Sequence, residues 1–149
     1  MPKITPFLWF DDQAEEAASF YVSLFEGSRV VDVTRYGEVT IVSFELAGQR
    51  VTALNGGPTY RFTEAFSFAV DCEDQAEVDR LWAALTDGGE EGPCGWLKDR
   101  YGLSWQVVPQ GMEEILGDPD PARAERAVKA MLGMKKLDVA ALRAAADGA

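Results

Sequence analysis

There is no histidine anywhere in the 149 residues of this chain, and only two cysteines, Cys72 and Cys94. The first absence removes the commonest metal ligand and the commonest general base at neutral pH. The second excludes a disulfide framework and makes a reduced, cytoplasmic setting the expectation. Positive charge is scarce as well. The 14 Lys and Arg stand against 25 Asp and Glu, for a net charge of −11 and a pI near 4.4. Without a basic patch there is nothing to displace phosphate counterions, so neither nucleic acid nor an anionic membrane is expected as a partner. Cationic ligands are permitted, not required. No apolar run reaches the ~18 residues of a membrane span. The opening MPKITPFLWFDD lacks the apolar core of a secretory signal.

Apolar residues make up 47% of the chain, enough for a core at this one-domain length. The tetrapeptide DQAE occurs twice, at Asp12 and at Asp74, each time heading an apolar-periodic stretch. Asp12 with Glu15, and Asp74 with Glu77, have the spacing of a helix N-cap pair. Helical spacing continues through Ala14, Ala17, Ala18, Tyr21 and Leu24, and through Val78, Leu81, Trp82 and Leu85. At the same offset of 62, Ile4, Leu8 and Phe10 fall on Phe66, Val70 and Cys72. Downstream the match returns at an offset of 54, with Glu45–Gly48 on Asp99–Gly102 and Val51–Leu54 on Trp105–Val108. The chain therefore reads as an internal duplication whose second copy has a shortened hairpin.

The layout is strand, helix and three strands, twice. Strands are expected near 3–10, 28–37, 38–48 and 50–55, then near 65–72, 90–93, 94–99 and 103–109. Helices are expected near 12–26 and 74–87. The modules cover about 1–56 and 65–110. A tail, 111–149, holds a helical turn and two helices starting at Asp118-Pro-Asp-Pro121 and at Asp138.

This layout, with the segments DQAEEAASFY, LNGGP, CGWLKDRYGLSWQVVP and MKKLD, resembles the vicinal-oxygen-chelate superfamily of glyoxalases, bleomycin-resistance proteins and extradiol dioxygenases. More closely it resembles the branch labelled 3-demethylubiquinone-9 3-methyltransferase-like, over essentially the whole chain. The resemblance implies an α+β fold in which two βαβββ modules form an open, curved-sheet barrel around a ligand cavity. It also implies a homodimer. The methyltransferase label does not carry over: neither Gly56-Gly57 nor Gly88-Gly89 belongs to a strand–GxGxxG–helix unit for S-adenosylmethionine.

Metal-dependent members of the superfamily take ligands from the first and last strands of each module. Those positions fall on Thr52 and Gln106, near Thr5 or Pro6, and near Ala65 or Ser67. A lone amide among hydroxyls is a poor site for a divalent transition metal, so no metal and no cofactor are expected. Strand alternation then assigns faces. With Gln106 facing the cavity, so do Ser104 and Val108, together with Thr52 and Leu54. On the first strands Thr5, Phe7, Trp9, Ser67 and Ala69 face the cavity, while Ile4, Leu8, Phe10, Phe66, Phe68 and Val70 pack under helices. Thr5, Phe7, Trp9, Thr52, Leu54, Ser67, Ser104 and Gln106 are the candidate ligand-binding residues, around an unknown small molecule; no catalytic residue can be named.

Cys94 sits in a glycine-bracketed turn near Glu90 and Glu91, which disfavours its thiolate, whereas Cys72 continues the helix-packed face. Asn55-Gly-Gly-Pro58 reads as a turn between modules before it reads as an anion nest. The expected function is metal-free binding of a small, partly hydrophobic molecule. The alternatives are a cofactor-light enzyme of the same fold, such as an isomerase, a lyase or the labelled methyltransferase, and a ligand-free dimeric scaffold. The apolar stripe Ala124, Ala127, Val128, Met131 and Leu132 must be covered by the parent module or by a second copy.

Overall fold

The computed structural model describes residues 3–149. Its contacts divide into two units, one ending at Phe62 and the other running from Thr63 to Ala149. The first contains β1 (Phe7–Phe10), α1 (Ala14–Leu24), β2 (Arg29–Tyr36), β3 (Val39–Leu46) and β4 (Gln49–Asn55). The second repeats that order with β5 (Ser67–Cys72), α2 (Gln75–Thr86), β6 (Glu90–Glu91), β7 (Trp96–Lys98) and β8 (Ser104–Pro109). It then adds α3 (Met112–Leu116), α4 (Pro121–Leu132) and α5 (Val139–Ala146). The class is α+β. Each unit carries one open four-stranded sheet, ordered β1-β4-β3-β2 and β5-β8-β7-β6. In each sheet the first strand runs parallel to the last and the remaining neighbours are antiparallel. The change of offset is visible as a shortened hairpin. β2 and β3 have 8 residues each, whereas β6 has 2 and β7 has 3.

Alternation on the first sheet puts Leu8, Phe10, Val42, Phe44, Val51 and Ala53 in the core, where α1 contributes Ala14, Ala17, Ala18 and Tyr21. The turn from β3 to β4 is a two-residue loop, Ala47-Gly48, with φ of 47° and 89°. Positive φ at both positions matches the twist of the strands it joins. Ile4 corrects the sequence reading. It precedes β1 and is 85% exposed, so it belongs to no helix-packed face.

The two DQAE copies start their helices differently. Asp74 behaves as its sequence suggests, accepting the Glu77 N–H at 2.9 Å. Asp12 does not, because α1 begins later and Gln13, which makes no side-chain cap, occupies the N-cap position. The free N–H of Ala14 is taken by the Asn55 side chain at 2.7 Å, from the end of β4. Glu15 instead pairs with Arg35.

The tail belongs to the second unit. Met112, Leu137 and Leu142 form a buried cluster joined by Val108, Ile115, Ala130 and Met131. Cys94 and Gly95 donate their N–H groups to the carbonyls of Met134 and Lys135, both at 2.8 Å. Gln75 completes the attachment: its amide donates to the Leu137 carbonyl and accepts the Val139 N–H, both at 2.9 Å. The α4 stripe is thus covered largely by its own unit, with Ala127 fully buried and Leu132 left 64% exposed.

Candidate functional site

On the first sheet, the face away from α1 is built by neighbours in register. Phe7 lies beside Thr52 and Trp9 beside Leu54, continuing onto Ser43 and Ile41 of β3. Phe7 is exposed, while Trp9, Thr52 and Leu54 are half-buried. Thr5 is half-buried in the approach to β1 rather than in the strand. Trp9 is held by the following linker. Its Nε1 donates to the Gly57 carbonyl at 2.9 Å, its ring meets Tyr60 edge-on at 4.9 Å, and any side chain at Gly56 would collide with it. The Gly56 and Gly57 N–H groups donate to Phe10 and Asp11. This segment is therefore a turn with its donors occupied, not an anion nest.

The second sheet repeats the pattern with more polar groups. Phe68, Trp105 and Val107 point toward α2, while Ser67, Ala69, Ser104 and Gln106 share the opposite face. Register extends that face to β7, where Trp96 pairs with Gln106 and Lys98 with Ser104. These two were missed in the sequence, because alternation along β7 leaves its two faces equivalent until the register with β8 is known. Gln106 Nε2 donates to Ser67 Oγ at 3.0 Å, so the candidate residues there form a connected pair. Val108 departs from expectation because the tail helices cover that end of the strand.

A cleft of about 390 Å³ takes in Trp96, Lys98 and Ser104 of this face, with Pro93 and Leu97 completing its apolar wall and Glu64, Glu90 and Glu91 its polar lining. Lys98 forms an ion pair with Glu64. Their mutual hydrogen bond holds the Glu64 carboxyl below the ordinary carboxylate range and the Lys98 ammonium above its own. Ser104 is 1% exposed, and among the described residues its Oγ has no hydrogen-bond partner. A buried hydroxyl left in that state costs about 1–3 kcal/mol.

Asp99, between β7 and β8, fixes this geometry. It is 3% exposed. One carboxylate oxygen accepts the N–H groups of Tyr101 (2.9 Å) and Leu103 (3.1 Å). The other accepts the Trp105 indole N–H at 2.9 Å. The turn between Lys98 and Ser104 is thereby locked from inside.

The donor set does not fit a divalent transition cation. The residue beside Thr52 is Phe7 and the one beside Gln106 is Ala69, neither of which donates. The Gln106 amide nitrogen donates to Ser67, and its lone carboxamide oxygen is a poor ligand for such an ion. Among the described residues, no three His, Cys, Asp or Glu side chains converge as a metal site would require. Among the described residues there is no glycine-rich strand-to-helix turn for S-adenosylmethionine either. Gly56-Gly57 leads from β4 into the linker, and Gly88-Gly89 leads from α2 into β6. Both cysteines are free, Cys72 buried and Cys94 half-buried.

The family model for 3-demethylubiquinone-9 3-methyltransferase matches residues 2–108, which leaves α3, α4 and α5 outside it. The resemblance therefore stops short of the whole chain. A PhnB protein from Bacillus cereus is 34% identical over 72% of this chain and 99% of its own, with a TM-score of 0.67. A glyoxylase/bleomycin resistance protein/dioxygenase domain from Frankia is 15% identical over 73% and 97%, with a TM-score of 0.53. A FosX fosfomycin resistance protein variant from Listeria monocytogenes, in complex with manganese(II), is 14% identical over 76% and 98%, with a TM-score of 0.57. No curated protein matches the chain.

Proposed function

The chain belongs to the 3-demethylubiquinone-9 3-methyltransferase family and has the glyoxalase-like fold, and we propose that within this frame it is a metal-independent binder of a small, partly hydrophobic molecule. The observation that carries this reading is the cleft on the second sheet. It is largely apolar, of small-molecule size, and contains a buried hydroxyl that awaits a partner. Gln106 and Ser67 extend the same face, and Phe7, Trp9, Thr52, Leu54 and Thr5 are the corresponding candidates of the first unit. The manganese in the FosX complex does not transfer, because likeness at that identity is a likeness of fold.

An acid–base enzyme is the weaker reading. The carboxyl in the cleft with a displaced titration, Glu64, is shifted downward by Lys98, the wrong direction for a proton donor at neutral pH. A ligand-free scaffold would leave the Ser104 hydroxyl unexplained. We place the protein in the cytoplasm, consistent with its two free thiols and with the lack, among the described residues, of any helix long and apolar enough to cross a membrane. Self-association as a homodimer completes the proposal and rests on the resemblance alone.

Native mass spectrometry of protein purified from its source tests the reading. The expected result is a retained organic ligand and far less than one equivalent of transition metal. One tightly held metal ion per chain, lost on Gln106→Ala, refutes metal independence.

A further inference from the structure

Lys98 and Ser104 are direct cross-strand partners, so their side chains rise side by side from one face of the second sheet. One carries an ammonium and the other a hydroxyl, both hydrogen-bond donors. Lys98 already holds a carboxylate, that of Glu64, on the segment leading into β5. The Glu64 side chain is 64% exposed, so letting go of Lys98 returns it to water and leaves the core undisturbed. The Ser104 hydroxyl is buried, lines the cleft and has no hydrogen-bond partner among the described residues. Trp96, two residues along on the same face as Lys98, forms an apolar wall with Pro93. Glu90, the cross-strand partner of Lys98, opposes a second negative charge on whatever enters, whereas the Glu91 carboxylate is taken by the Trp82 indole N–H.

We propose that this cleft takes a monocarboxylate with an apolar body. The acid displaces Glu64 from Lys98, accepts the Ser104 hydroxyl hydrogen and lays its apolar part against Trp96. Glu64 is then an internal carboxylate occupying the subsite until a ligand arrives. This names the ligand class for the binding reading above and rests on it.

Calorimetric titration of the full chain with hydrocinnamate, phenethylamine and hydrocinnamyl alcohol separates the possibilities, since the three share a body and differ in charge. Hydrocinnamate is expected to bind best. Lys98→Met should weaken it by at least about tenfold and Ser104→Ala by about fivefold, as loss of a charge-assisted hydrogen bond implies. Glu64→Gln should tighten it, by up to about fivefold, because an exposed competing ion pair is removed. That sign is the decisive readout, since a merely structural Glu64 would not improve binding when replaced. The proposal is overturned if phenethylamine binds best, or if Glu64→Gln leaves hydrocinnamate affinity unchanged or lower. If the alcohol binds as tightly as the acid, the carboxylate assignment fails while small-molecule binding stands. If none of the three saturates, the assignment fails, and the mass-spectrometric test remains the separate arbiter of binding itself.

Discussion

Replacing Asp99 by Asn changes almost no volume and asks how much the buried carboxylate contributes. The oxygen that accepts from Tyr101 and Leu103 can be kept, as the amide oxygen, with both bonds intact. The other oxygen becomes an NH₂ pointing at the Trp105 indole N–H, which now lies 2.9 Å from a donor instead of an acceptor. Two donors are left unsatisfied at a site that is 3% exposed. At about 1–3 kcal/mol for each buried unpaired group, less some relaxation, the expected loss is ~2–3 kcal/mol. With a urea m-value of roughly 2 kcal/mol/M, the midpoint should fall by about 1–1.5 M. Circular dichroism during urea unfolding measures this directly. Trp105→Phe removes the opposing donor, so Asp99→Asn should cost at least ~1 kcal/mol less in that background. A midpoint shift under about 0.25 M, or equal costs in both backgrounds, refutes the claim that this carboxylate locks the turn.

Two further outcomes are expected. Asn55→Ala should destabilise the first unit by about 1 kcal/mol through loss of the α1 cap, whereas Asp12→Ala should stay within ~0.5 kcal/mol in the same urea measurement. Thiol titration of the native chain at mildly alkaline pH should find one accessible site, Cys94. Burial, then the charges of Glu77 and Asp71, pushes the Cys72 thiol up to about 12 from an ordinary 9.0. The folded state therefore disfavours the Cys72 thiolate. Its contribution to stability is full below pH 9 and declines as pH rises toward 12, which unfolding at stepped pH would reveal.

The repeat, the strand alternation and the tail helices were legible in the sequence because each is a local property. Apolar period, turn glycines and the Asp120 and Asp138 caps all act within a few residues. What was not legible depends on residues brought together from afar. Asp12 has the right chemistry for a cap, but a side chain 41 positions from Ala14 in the chain reaches its N–H instead. Val108 alternates correctly and still meets the tail. In the candidate site, Gln106 came from the family resemblance and Ser67 and Ser104 followed from it by alternation, but Trp96 and Lys98 need the β7–β8 register. The Glu64 ion pair comes from a segment outside the strands, which no periodicity describes.

The difference between the two helix starts has a consequence for the order in which the chain assembles. Asp74 and Glu77 are 3 residues apart, so the start of α2 can form as soon as that turn is made, before any strand has docked. The start of α1 waits for Asn55, and therefore for β4 to pair beside β1 and close a loop whose entropy must be met first. Loss of the local cap should thus be felt on the way up the folding barrier, as slower refolding. Loss of the distant one should be felt mainly on the way out of the native state, as faster unfolding. The caps of the two helices headed by the same tetrapeptide, Asn55 for α1 and Asp74 for α2, would then sit on opposite limbs of the same chevron.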